Sequence, residues 1–114
     1  METRTAVAAL AALAQDSRLA IFRLLVQVGP EGLPAGKIGE TLGIPPSSLT
    51  FHMKELSHAG LVQSRQESRF VIYSANYTAM NELLAFLMEN CCGGQPCPAT
   101  PPSGCPGADG PPTP

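Results

Sequence analysis

The chain has 114 residues, 44% of them hydrophobic and 14% charged, with a formal net charge of −2. That length accommodates one domain around one modest core. No window approaches the ~20 apolar residues of a membrane span, and the slight negative charge singles out neither nucleic acid nor a membrane surface as a partner.

The opening stretch, "METRTAVAALAALAQDSR", places an alanine-rich run after one arginine. Val7, Leu10 and Leu13 suit one helix face, so it reads as a domain helix rather than a signal peptide, and the chain is expected in the cytoplasm. Cysteines there stay reduced, which points the four in this chain toward soft-ion binding or redox chemistry rather than stapling. A second helix begins at Asp16 or Ser17, either a suitable N-cap, and lines up Ile21, Leu24, Leu25 and Val28 before Gly29 and Pro30 end it. A short helix from about Pro34 to Leu42 follows, and Gly43 breaks it. The next helix, "PSSLTFHMKELSHAG", starts at Pro46 or Ser47 and is closed by Gly60. Two β-prone runs, "LVQSRQ" and "RFVIYSA", joined around Glu67 and Ser68, read as a hairpin. The last helix spans about Tyr77 to Asn90, with Met80, Leu83, Leu84 and Leu87 at helical spacing. From Gly93 to Pro114, thirteen of twenty-two residues are Gly or Pro, so residues 1–92 are expected to form the domain and 93–114 a flexible tail.

Helix, glycine turn, helix and hairpin, in that order, predict a mainly α winged helix-turn-helix with a small β-hairpin. Leu49, Met53 and Leu56 share the core face of the second helix of the pair. Ser47, Thr50, Phe51, Lys54 and His58 fall opposite, available to DNA, while His52 sits on the flank. Arg65 and Arg69 flank the hairpin tip, where a wing meets phosphate. Between Lys37 and Tyr73 four basic residues face three acids, so binding to double-stranded DNA should be salt-sensitive with a shallow slope. The same residues would also suit a plain solvated face of a small helical domain.

The stretches "LAQDSRLAIFRLL", "IGETLGIPPSSLTFHMKELSHAGLV" and "SRQESRFVIYS" resemble the ArsR/SmtB family of metal-responsive bacterial repressors, over about residues 5–90. The resemblance implies a homodimer on a palindromic operator that leaves it when a metal or metalloid binds. It implies dimerisation through the first and last helices, hence through Val7, Leu10 and Leu13 together with Met80, Leu83, Leu84 and Leu87. The family's recognition contacts fall on Ser47, Ser48, Thr50, His52 and Lys54. Two features depart from the family: Ser68 stands where the wing turn usually has glycine, and Pro45 and Pro46 replace polar residues at the start of the recognition helix.

Neither usual inducer site of that family is present, since "LPAGKIGE" has no cysteine and "NYTAMNELLAFLMEN" lacks the Asp and His pairs. The stretch "NCCGGQPC" instead resembles arsenic sensors with cysteines just past the last helix. Trivalent arsenic has three valences to fill, and soft thiolates select it, so Cys91, Cys92 and Cys97 form a candidate site for arsenite, with antimonite a further inducer. Adjacent thiols cannot share a helix face, so the helix must end or distort there, and Gly93 and Gly94 permit the reversal. Two alternatives stay open: a thiol redox switch, and a site for zinc or cadmium, which the cysteine spacing suits poorly. Cys105 is expected to be idle. A thiol oxidoreductase would want a C-x-x-C pair at a helix N-terminus, and here the thiols follow a helix end, so no enzyme is expected.

Overall fold

The computed structural model describes residues 1–94. Its elements run α1 (Thr3–Leu13), α2 (Asp16–Val28), β1 (Leu33–Pro34), α3 (Ala35–Leu42), α4 (Pro46–His58), β2 (Val62–Glu67), β3 (Phe70–Ala75) and α5 (Tyr77–Leu87), followed by a single 3₁₀ turn at Cys91–Gly94. The four-helix, hairpin, helix order is the one expected from the sequence. One strand is additional: Leu33 and Pro34 pair antiparallel with Tyr73 and Ile72, so the sheet has three strands in the order β1-β3-β2. Pro34, expected in the first turn of α3, is instead its N-cap and part of an edge strand, where its missing N–H costs no ladder bond.

The core gathers Ile21, Phe22 and Leu25 of α2, Ile38 of α3, Leu49, Met53 and Leu56 of α4, Leu61, Val62 and Ala75 around the hairpin, and Leu83 of α5. From α1 the core takes Ala6, Ala9 and Ala12, not the larger residues. Val7 and Leu10 lie outside, 58% and 42% exposed. Small side chains let α1 lie close on its neighbours, and the large ones are left on the outer face.

Helix α4 is placed by the turns at its two ends. Gly43 closes α3 with a left-handed backbone, and the Ile44 amide donates to the Gly39 carbonyl at 2.9 Å, which turns the chain sharply into α4. Gly39 is buried at this corner; a Cβ there would lie 3.0 Å from the Ile44 carbonyl oxygen and 3.3 Å from Leu49 Cδ2, so a larger residue would crowd the turn into α4. At the far end of α4, Gly60 is left-handed at φ 77°. The Leu61 amide donates to the Leu56 carbonyl and the Gly60 amide to the Ser57 carbonyl, both at 3.0 Å. This is a Schellman closure, with buried Leu56 and Leu61 supplying its apolar contact.

Helix α2 is capped one residue earlier than expected. Gln15 Oε1 accepts from the Arg18 amide at 3.0 Å, while Asp16 sits in the first turn, where its charge complements the helix dipole. Helix α5 is capped by Asn76, whose Oδ1 accepts from the Ala79 amide at 3.1 Å. Tyr77 Oη donates toward the Leu25 and Val26 carbonyls at 3.3 and 2.9 Å, satisfying acceptors near the end of α2.

Candidate nucleic-acid interface and thiol site

Helix α4 presents Ser47, Ser48, Thr50, Phe51 and Lys54 to solvent, opposite buried Leu49, Met53 and Leu56. Pro45 is the N-cap and Pro46 the first helical residue, and no side chain caps the first turn. The positive end of the helix dipole is therefore offered to an anion such as a phosphate. Thr50 Oγ1 donates back to the Pro46 carbonyl at 3.0 Å, leaving its lone pairs facing outward. Phe51 is 55% exposed and meets the His52 ring edge-on, with centroids 5.6 Å apart. His52 is half-buried and lies 3.4 Å from an Arg18 guanidinium nitrogen.

The two wing arginines differ. The turn consists of Ser68 and Arg69, with Glu67 and Phe70 as the last paired residues. Arg65, within β2, donates to Glu67 Oε2 and to the Glu31 carbonyl, both at 2.7 Å, so it ties the wing to the loop after α2. Arg69, exposed at the tip, makes no ion pair among the described residues. Ser68 has φ 56°, the left-handed backbone for which a glycine would be the ordinary choice. Phe70, 58% exposed beside the tip, adds an aromatic ring to this surface that the sequence pattern does not single out.

Of the side chains expected at a dimer contact, Val7, Leu10, Leu84 and Leu87 are exposed on α1 and α5, two helices that pack on each other. Leu83, at 6% exposure, packs in the protomer's own core. Leu13 and Met80 are half-buried against that core. Met88, which the helical spacing does not single out, extends the exposed apolar surface beyond the end of α5.

Helix α5 ends at Leu87, three residues before the expected Asn90. Asn90 and Cys92 both have φ 56°, and Gly93 and Gly94 are left-handed as well. This reversal brings Cys91 Sγ and Cys92 Sγ to 3.9 Å, well beyond a disulfide bond length but close enough to share one ligand atom. Among the described residues no three His, Cys, Asp or Glu side chains gather to hold a metal ion. Cys97 and Cys105 lie outside the described residues, as does the tail from residue 95 onward. A groove of about 540 Å³ between α3 and α4, lined by Gly36, Gly39, Glu40, Pro45, Pro46 and Thr50 among others, contains no thiol and offers no soft-ion chemistry. Among the described residues no helix is long and apolar enough to cross a membrane.

A family profile for a helix-turn-helix domain matches residues 13–65, the span from the end of α1 into the wing. The transcriptional activator HlyU of Vibrio cholerae is 30% identical over 87 residues, covering 76% of this chain and 78% of HlyU. The solved structure of reduced HlyU superposes with a TM-score of 0.60 at 33% identity, over 75% of this chain and 90% of that one. The chain belongs to the helix-turn-helix transcriptional regulators. The ArsR-like regulator from Rhodococcus sp. RHA1 shares the fold, with a TM-score of 0.68 at 23% identity over 80% of this chain and 82% of its own. The HTH-type regulator YceK of Bacillus subtilis is 43% identical over 58 residues; the match spans 51% of this chain and 57% of YceK. Membership of the helix-turn-helix regulators implies DNA binding.

Proposed function

We propose that the chain is a homodimeric, cytoplasmic repressor that leaves its operator when trivalent arsenic is held by Cys91, Cys92 and Cys97. The observation that carries this reading is the pair of sulfurs 3.9 Å apart at the foot of α5. The same helix bears the exposed Leu84 and Leu87 through which a second protomer would be met. Three thiols would replace the three hydroxyls of arsenious acid with loss of three waters, without any change of oxidation state. Two donors come from the described turn, and the third must be supplied from outside it, for which Cys97 is the nearest cysteine in sequence. Drawing a third sulfur onto the turn would reshape the end of α5 and, with it, the relative placement of the two α4 helices. By linkage, arsenic must then bind the DNA-free form more tightly, by the same factor that it weakens DNA binding. Antimonite and methylated trivalent arsenic offer the same thiophilic chemistry.

A second reading is favoured by the same distance and by the likeness to HlyU, one form of which is described as reduced. Two thiols would lose two protons and two electrons to a peroxide, giving a disulfide and two waters.

The test is DNA release measured by fluorescence anisotropy. A labelled duplex from upstream of the protein's own gene is titrated with arsenite, antimonite, zinc, cadmium and hydrogen peroxide. Binding without effector and release near one arsenite per protomer are expected. Release by peroxide alone would transfer the role to thiol oxidation, and release by zinc alone would rule out both.

A further inference from the structure

Arg18 stands where three helices meet. Its Nε donates to the Ala12 carbonyl at 2.6 Å, and its Nη1 lies 3.4 Å from His52 Nδ1. One side chain therefore starts in the first turn of α2, closes the last turn of α1 and reaches α4. Each contact has a physical reason. The Ala12 carbonyl is among the last four of α1, which have no partner inside the helix. That last turn has no basic residue of its own, so the cation that complements the negative end of the dipole comes from the next helix. A guanidinium carries donors only. A hydrogen bond across this gap requires His52 Nδ1 to accept, which leaves the ring proton on Nε2.

We propose that Arg18 is the positioning residue of DNA reading. It ties the recognition helix to the end of α1 and holds His52 as the Nε2–H tautomer, so that this N–H is the one presented to phosphate or base. The proposal rests on the DNA-binding reading and deepens it. It also links the two functional surfaces, because α1 carries the exposed Val7 and Leu10, and a shift of α1 reaches α4 through this bridge.

Two measurements on the full chain test it. The first is ¹⁵N NMR of the imidazoles; the chain has two histidines, and His52→Phe assigns them. The wild type should show His52 protonated at Nε2 with Nδ1 bare, and Arg18→Met should show a mixture of tautomers. An unchanged tautomer in Arg18→Met would overturn the bridge. The second is affinity for the upstream duplex. Arg18→Met and His52→Phe should each weaken binding by about three- to tenfold, and the double variant should be no weaker than the worse single one. Additive losses would overturn the coupling. Arg18→Lys keeps the charge but loses the planar fork whose Nε and Nη1 reach the two acceptors separately, so it should stay weakened; full affinity in that variant would reduce Arg18 to a generic cation. Should Arg18→Met fail to fold, the His52 tautomer in Arg18→Lys decides between the same outcomes. A wild-type chain that binds no duplex would sink the DNA-binding reading, whereas the tautomer would still report whether Arg18 holds His52.

Discussion

At position 68 a serine carries a backbone that suits glycine, with φ 56° in the two-residue wing turn. Holding an L-residue there costs about 1–2 kcal/mol, and glycine's extra freedom in the unfolded chain returns about half of that. Ser68→Gly should therefore raise stability by about 0.5–1 kcal/mol, measured as a higher midpoint of thermal unfolding; a lower midpoint would mean that the serine side chain stabilises the turn. The Gln66 Nε2 bond to the Ser68 carbonyl survives the change because it uses the backbone. The wing arginines separate in the same way. Arg69→Ala should weaken DNA binding evenly across sequences and reduce the salt slope by about one, read from affinities over a range of salt. Arg65→Ala should act mainly on the stability of the wing, because its guanidinium is committed to Glu67 and to the Glu31 carbonyl. Two arginines near a tip are legible in the sequence. So is the placement of Arg65 and Glu67 two apart on a strand, hence on one face, but the Glu31 carbonyl arrives from a loop that no local pattern connects to the wing.

Among the elements, α1 and α5 leave Val7, Leu10, Leu84 and Leu87 substantially exposed, and Met88 just past α5 is exposed as well. A half-exposed leucine gains about 1 kcal/mol on full burial, so several such side chains per protomer are enough to hold a modest dimer. Leu84→Asp combined with Leu87→Asp should give a folded monomer by analytical ultracentrifugation, with unchanged helical content and lost operator affinity. A persistent dimer would place the contact elsewhere. Helical spacing makes α4 legible: Leu49, Met53 and Leu56 are all buried, as the wheel requires. On α1 it picks out the large apolar residues and leaves the inner face unread, since Ala6, Ala9 and Ala12 pack inward where a search for bulk sees nothing. Strand β1 is two residues long, one of them proline, and exists only because β3 lies beside it. Sequence reasoning puts the end of α5 too late because "MEN" carries no helix-breaking residue; the reversal is made by Asn90 and Cys92 adopting left-handed backbones.

For the molecule as a whole, the thiols and the reader lie at separate places joined through α5, α1 and α2. Replacing Cys91 or Cys92 by serine should leave operator affinity within about twofold of wild type, since both are outside the packed core. Release by arsenite should be lost, as measured by the anisotropy titration. The same is expected for Cys97→Ser, and full inducibility in that variant would remove Cys97 from the ligand set. Truncation after Asn90 should give a regulator that binds its operator and ignores arsenite; a monomeric truncation product would assign the removed residues to assembly instead. The joint after α4 also bears on the proposed release from DNA. Asn76 Nδ2 donates to the Gly60 carbonyl at 3.0 Å and its amide to the Leu61 carbonyl at 2.8 Å, so the stalk of the hairpin is bolted to the same corner that ends the recognition helix. In the proposed docking, groove contact by α4 and flank contact by the wing would be carried by a single arm. An effector that tilts this arm removes both at one stroke, and nuclease protection should vanish over the full half-site together rather than fading from its edges.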